Sequence, residues 1–312
     1  MKNYIYILVS AVLILSCEDV VNVSLKSSDP VLIVDGWLTN TADTQRIVLN
    51  YTQPYFDSNQ PPHAVNALVN VVETETDFAY SFTDADDNGV YEWIPTSGEK
   101  FGTIGNNYEL QIELTDGSVY YSTSRMDSVP AIDSITFEYN VADAFIEDDY
   151  YYAEFWARDL AGRGNTYWIK AFKNDVFYSS PEFINFAYDA GFSAGGEVDS
   201  LIFIQPIRTF INDFGSEDEK GNPTSPYKFG DKLKVEIHAI SEEAWFFLTR
   251  VFDEANPQSG FGQLFASPVA NSPSNIVTIQ GVAQAVGFFS VAAVSSMEVT
   301  MSDALVVDRV PD

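Results

Sequence analysis

A single cysteine, Cys17, serves all 312 residues, and it stands directly behind the apolar run Ile5 to Leu15. No disulfide can form within such a chain, so its fold must be held by burial and hydrogen bonding alone. Lys2 ahead of the run supplies the short positive start of a secretory signal, and the run has the length of a signal core. A spanning helix needs about 20 apolar residues. Residues 1–16 are therefore expected to be a removed signal peptide rather than a permanent span. The remainder, 312 − 16 = 296 residues, suffices for one large or two ordinary domains, each with its own core.

The run ends Ile14-Leu15-Ser16-Cys17, which resembles a bacterial lipobox. In that motif the cysteine is lipidated and becomes the first mature residue. The competing reading is plain secretion, or a short anchor with an incidental cysteine. Glu18 and Asp19 follow at once, and an acidic pair there resembles the surface-export signal of Bacteroidota lipoproteins. The expectation is a lipid-anchored protein of the outer membrane, facing the cell surface, with residues 17–29 as a tether.

Charge removes whole classes of function. The chain carries 45 acidic against 16 basic side chains, a formal charge of −29. Phosphate backbones and anionic lipid headgroups would both be repelled, so nucleic acid is not an expected partner. Such a surface keeps a protein soluble, and it also draws in cations.

From Pro30 to about Met126 the pattern is one of short strands between turns. Val31–Val34, Arg46–Tyr51, Val65–Val72, Phe78–Thr83, Tyr108–Leu114 and Ser118–Thr123 are the candidates. Asp116-Gly117 is a strong hairpin turn between the last two. This spacing predicts a β-sandwich over 30–127, Ig-like or transthyretin-like. Val129-Pro130 marks the expected boundary, with a second β-rich domain over 128–312. There Tyr150–Arg158 and Thr166–Lys173 read as paired strands, and Leu201–Ile204 as another. Thr209 to Gly230 reads mostly as loop. In Asp231–Ile240, Leu233, Val235 and Ile237 alternate with Lys232, Lys234 and Glu236, which predicts a half-buried strand.

One amphipathic helix is expected, over 241–255. Ser241 caps it, Glu242 and Glu243 suit its positive end, and Asn256-Pro257 stops it. Ala244, Phe247, Leu248, Val251 and Phe252 fall on one face. Strands near Gly287–Ala293 and Ser296–Met301 close the chain.

Several blocks then line up with one family. They are Ile33-Val34-Asp35-Gly36-Trp37-Leu38-Thr39-Asn40, Val129-Pro130-Ala131-Ile132-Asp133-Ser134-Ile135 and Gly230-Asp231. His238-Ala239-Ile240-Ser241-Glu242-Glu243-Ala244, Pro273-Ser274-Asn275-Ile276 and Gly287-Phe288-Phe289-Ser290-Val291-Ala292-Ala293-Val294-Ser295 follow in order. Together they resemble the Bacteroidota lipoprotein family catalogued as domain of unknown function 4249. The resemblance implies a β-rich surface lipoprotein, often encoded near TonB-dependent transporters. It carries no catalytic residues to transfer.

Among chemical motifs, Asp84-Ala85-Asp86-Asp87-Asn88-Gly89 matches the start of an EF-hand-type loop, with Asp84, Asp86 and Asn88 as oxygen donors and Glu92 at position nine. Pro95 stands where the bidentate Glu belongs, and a tight inter-strand turn uses the same letters. Calcium is thus the one cofactor weighed against none. Gly191-Phe192-Ser193-Ala194-Gly195 fits a nucleophile elbow, but that motif needs a helix after the serine, and the sequence behind it reads as strand. A Gly-rich hairpin loop is the expected reading. His63 and His238 have no partner histidine nearby, so zinc is not expected.

Asp127-Ser128-Val129, Asp133-Ser134-Ile135 and Asp199-Ser200-Leu201 resemble the short O-glycosylation motif of Bacteroidota exported proteins, which makes Ser128, Ser134 and Ser200 candidate sites. Tyr55 and Phe56, in a proline-rich loop, are candidate anchors for a partner, with the loop Phe210 to Phe229 as a second surface. The function expected is that of a non-enzymatic accessory subunit, docked on a TonB-dependent transporter or another outer-membrane β-barrel. A stand-alone binder of ligand or calcium is the alternative, and a surface hydrolase the weaker one.

Overall fold

Among the described residues the chain forms sixteen strands and one helix longer than five residues. The computed structural model describes residues 29–54, 57–96, 98–142, 149–196, 198–215, 224–256, 273–281 and 283–307. The protein is mainly β, as the strand-and-turn spacing predicts.

The first half contains β1 (Leu32–Thr39), β2 (Gln45–Tyr51), β3 (Leu68–Glu73), β4 (Phe78–Phe82), β5 (Val90–Trp93), β6 (Asn107–Glu113) and β7 (Val119–Arg125). The second half contains β8 (Ile132–Asn140), β9 (Tyr150–Ala157), β10 (Thr166–Lys173), β11 (Val176–Phe177), β12 (Asn185–Tyr188), the short helix α1 (Gln205–Thr209), β13 (Lys232–Ile240) and the long helix α2 (Glu242–Ala255). Then come β14 (Val277–Gln280), β15 (Ala285–Thr300) and β16 (Val306–Val307).

An eight-stranded main sheet runs β11-β10-β13-β15-β1-β2-β5, with β12 also paired to β10. A second sheet runs β14-β7-β6-β3-β4, and a third β16-β8-β9. In the main sheet, β1 and β15 are parallel, with Leu32 opposite Ala285 and Thr39 opposite Ala292, whereas β15 and β13 are antiparallel.

Period-two alternation sends the two sides of β15 into different surroundings. Phe289, Val291 and Ala293 join Val34, Ile47 and Leu49 against Val71, Leu110 and Ile112 of the second sheet, forming the first core. Further along the same face of β15, Met297 and Val299 pack on a second core, where Ile169, Val235 and Ile237 meet Phe137 and Phe155 of the third sheet. Val129 packs against both. The segment 30–127 is therefore completed by residues far along the chain. Asn275 reinforces this: its side chain donates to Phe289 O at 2.7 Å and accepts from Phe289 N at 2.9 Å, as a strand neighbour would.

Gly287 allows the close approach of the parallel neighbours β1 and β15. Its φ is +99°, and a Cβ there would lie 2.0 Å from Val34 O. Only glycine fits both demands.

Four expectations change. Tyr150–Arg158 and Thr166–Lys173 do not pair with each other: β9 lies beside β8 in the third sheet and β10 beside β13 in the main sheet. Gly287–Ala293 and Ser296–Met301 are one continuous strand, since β15 passes from one core to the other without a turn. Leu201–Ile204 is not a strand: Ile202 makes a single bridge to Arg158, and the chain then enters α1. The helical stripe turns toward Trp245, which is buried with Ala244 and Leu248. As foreseen, Ser241 Oγ accepts from Ala244 N at 3.2 Å and the helix stops before Asn256.

Candidate functional site

The back of the main sheet, away from both cores, holds an apolar concave surface. Alternation places Ile33, Asp35 and Trp37 of β1 there, Phe288 of β15 beside them, and Trp168 and Lys170 of β10 further across. Helix α2 lies over this face, so its apolar stripe buries against aromatic rings instead of a conventional aliphatic core. Trp37 stacks on Phe288 at 5.5 Å and meets Trp168 edge-on at 5.2 Å, while Phe247 of α2 lies 4.9 Å from Phe288. Offset and edge-on pairs of this kind each add about 0.5–1.5 kcal/mol beyond burial.

The helix does not seal the sheet. Between Phe247, Leu248 and Val251 on one side and the segment Phe177–Ile184 on the other, a groove of about 460 Å³ remains, floored by Ile33, Trp37, Trp168 and Phe288. That is the size of a small-molecule site. Gly287 also lines it, so the close approach of β15 to β1 shapes the floor as well.

Among the described residues, Asp35 is the one charged side chain in the lining. It keeps solvent contact at the rim, yet the surrounding protein displaces enough water to raise its carboxyl above the usual range, against the opposing pull of Lys170. Next to the groove lies a polar strip. Lys170 Nζ sits 3.8 Å from the Trp168 ring centre. Burial brings its ammonium down to about 8, although Glu236 and Asp35 act the other way. Glu236 accepts from Lys234 at 2.9 Å and pairs with His238 Nε2 at 3.0 Å. Burial first, then the charge of Lys170, holds His238 down to about 4, so it is neutral at neutral pH. Glu236 is lowered to about 2, because hydrogen bonds and charge from His238 and Lys234 outweigh its own burial.

The residues picked from sequence fall elsewhere. Cys17, Glu18, Asp19, Tyr55 and Phe56 lie outside the described residues. Asp84 is occupied as an acceptor in the turn between β4 and β5: its carboxylate takes Asn88 N at 3.1 Å and Gly89 N at 2.9 Å. Asn88 accepts from Val90 N, Asp86 is exposed, and Glu92 binds Arg46 across the strands at 2.7 Å. The geometry is that of a side-chain-closed turn. Among the described residues, no group of three or more His, Cys, Asp or Glu is placed to hold a metal ion.

Ser128 is exposed in the connector between β7 and β8. Ser134 is half-buried beside a register shift in β8. Ser200 is half-buried too, its N–H donated to Asp159 and its hydroxyl to Asp199. Ser193 stands in an exposed turn with no helix behind it, and His238 is buried against Glu236. The elbow geometry that a serine nucleophile needs is not formed there. His63 Nδ1 meets Asn50 at 2.8 Å. Among the described residues, no helix is long and apolar enough to cross a membrane.

The groove itself has a faint sequence signal. Asp35 and Trp37 sit in one of the aligned blocks, and Trp168, Lys170 and Phe172 alternate on β10. Nothing local tells that β1 and β10 share a sheet face, or that α2 lies over it. Compared with known proteins, the chain matches the family model described as Domain of unknown function (DUF4249) over residues 18–298. No curated protein matches it.

Proposed function

Given that this chain belongs to the DUF4249 family, we propose that it is a non-enzymatic, lipid-anchored subunit on the outer face of an outer membrane. It docks on a TonB-dependent transporter or another outer-membrane β-barrel and presents its groove to what that barrel takes up. The observation that carries a binding role is the aromatic groove between α2 and the main sheet, with a single carboxylate at its rim. The order of Lys2, the apolar run and Cys17 supports the anchor. Several acyl chains on Cys17 would hold the protein firmly, and tethering would raise its effective concentration beside a barrel.

The test is a pull-down of the tagged chain from native membranes in mild detergent, with mass spectrometry of the acyl-modified N-terminus and of co-purifying proteins. A stoichiometric β-barrel and a lipidated Cys17 are expected. An unlipidated chain that comes out of the soluble fraction alone sinks the proposal. A lipidated chain without a barrel leaves the second reading, a stand-alone surface lipoprotein that binds ligand, which the same groove supports.

A further inference from the structure

We propose that the groove beneath α2 selects a small organic monocation with an apolar or aromatic body. The body fits the rings: Trp37, Trp168, Phe247 and Phe288 form a connected cluster along its floor and wall. The faces of such rings are electron-rich and attract ammonium groups. Lys170 already demonstrates this on Trp168, with its ammonium 3.8 Å from the ring centre.

The charge preference comes from Asp35. It stands opposite Phe288 in the strand pairing, so its carboxylate is placed at the edge of the ring cluster. Among the described residues, no ion pair is made to it. Trp37 hydrogen-bonds it and Lys170 acts on it at longer range, yet it stays exposed at the rim. A ligand ammonium beside Asp35 meets an opposite charge there. A ligand carboxylate would meet the same group with like charge. The field of the whole chain, at −29, favours the same sign and raises the encounter rate of cations.

The proposal rests on the binding reading only in taking the groove for a site, and its test needs neither membrane nor barrel. Three matched probes share one body: 4-phenylbutylammonium, 4-phenylbutanol and 4-phenylbutyrate. Binding to the full chain is followed by calorimetry and by tryptophan fluorescence, at near-physiological salt so that long-range attraction is screened. The amine is expected to bind tightest and the acid weakest. Asp35→Asn should weaken the amine about five- to tenfold while the alcohol changes by less than about twofold. Val251→Trp, which fills the groove from the helix side, should abolish both.

An acid that binds as well as the amine overturns the proposal, as does a chain that binds none of the three. So does amine binding that survives Val251→Trp, since the site would then lie elsewhere. Should Asp35→Asn lose its β-sheet circular dichroism, the wild-type order of the three probes and the Val251→Trp result decide. Failure here leaves the anchored-subunit reading intact, and failure of the pull-down leaves this one intact.

Discussion

Lys170 holds its ammonium 3.8 Å from the centre of the Trp168 ring, two residues back on the same strand and directly opposite Glu236 on β13. The lysine thus works on three groups at once: the ring beneath it, Glu236 across the strands and His238 beside them. Its positive charge is the second cause, after burial, of the low titration of His238. Lys170→Met keeps the length and removes the charge. The His238 imidazole should then titrate above about 4. Proton NMR can follow this readily, because the chain has two histidines. An unmoved His238 signal would falsify the charge contact.

A second prediction concerns acid stability. His238 titrates near 6.5 when unfolded and near 4 when folded, so between those values the unfolded chain binds the extra proton. Stability is therefore complete above about 6.5 and falls as the pH drops through 4. The groups facing His238 are Glu236 and Lys234 on its own strand and Lys170 on β10. Glu236, lowered to about 2, extends the loss below 4.5. His238→Gln should flatten the upper part of the profile, worth roughly 2–3 kcal/mol. The check is urea unfolding at a series of pH values. A wild-type midpoint that does not move from neutrality to pH 4 contradicts the assignment.

Arg208 and Glu154 form a nearly buried pair at 2.6 Å, with the guanidinium over the Trp156 ring at 4.3 Å. Breaking one side leaves a carboxylate with little water. Arg208→Leu should cost about 3–5 kcal/mol, whereas Arg208→Leu with Glu154→Leu should recover most of that loss. If the double variant is as unstable as the single one, packing on Trp156 and not charge accounts for the effect.

Gly287→Ala is expected to be among the most damaging single-methyl changes. Its φ of +99° and the 2.0 Å approach to Val34 O leave no relaxed place for a Cβ. A loss of more than about 2 kcal/mol follows from the backbone strain and the overlap together. Thermal melting settles it, and a shift of only a degree or so contradicts the close approach of β1 and β15.

At the turn between β4 and β5, Asp84→Ala removes the acceptor for two backbone N–H groups and should cost about 1–2 kcal/mol. Calcium should leave the melting temperature of the wild-type chain unchanged. A calcium-dependent rise that Asp84→Ala abolishes would restore the metal-site reading.

Local pattern carried much of the fold. The alternation in 231–240 gives β13 with its correct inward face, because Leu233, Val235 and Ile237 have one apolar side available to them. Ser241, Glu242 and Asn256 bound the helix through its caps, which are local chemistry. β5, β12 and β14 leave no local signal because each has four residues, too few for a period to register, and the nine-residue β8 leaves none because the register shift between Ile132 and Ser134 breaks its alternation. The groove was the least legible part. Its residues are separated by most of the chain and meet only through the β1–β15 and β10–β13 pairings. His238 illustrates the same limit: by parity it belongs on the polar side with Lys234 and Glu236, yet it is buried.

The strand Ala285–Thr300 has a consequence for how the chain comes to be folded. It is the hydrogen-bonded neighbour of β1 along one stretch and of β13 along the other. Until it has been synthesised, β1 has β2 on one side and no partner on the other, and the first core lacks Phe289 and Val291. A nascent chain of this kind cannot finish its N-terminal half early, and pairings so distant along the chain slow the final step. The order in which the strands are made and the order in which they can be completed therefore differ, and one side of β1 stays an open edge until Ala285–Thr300 arrives.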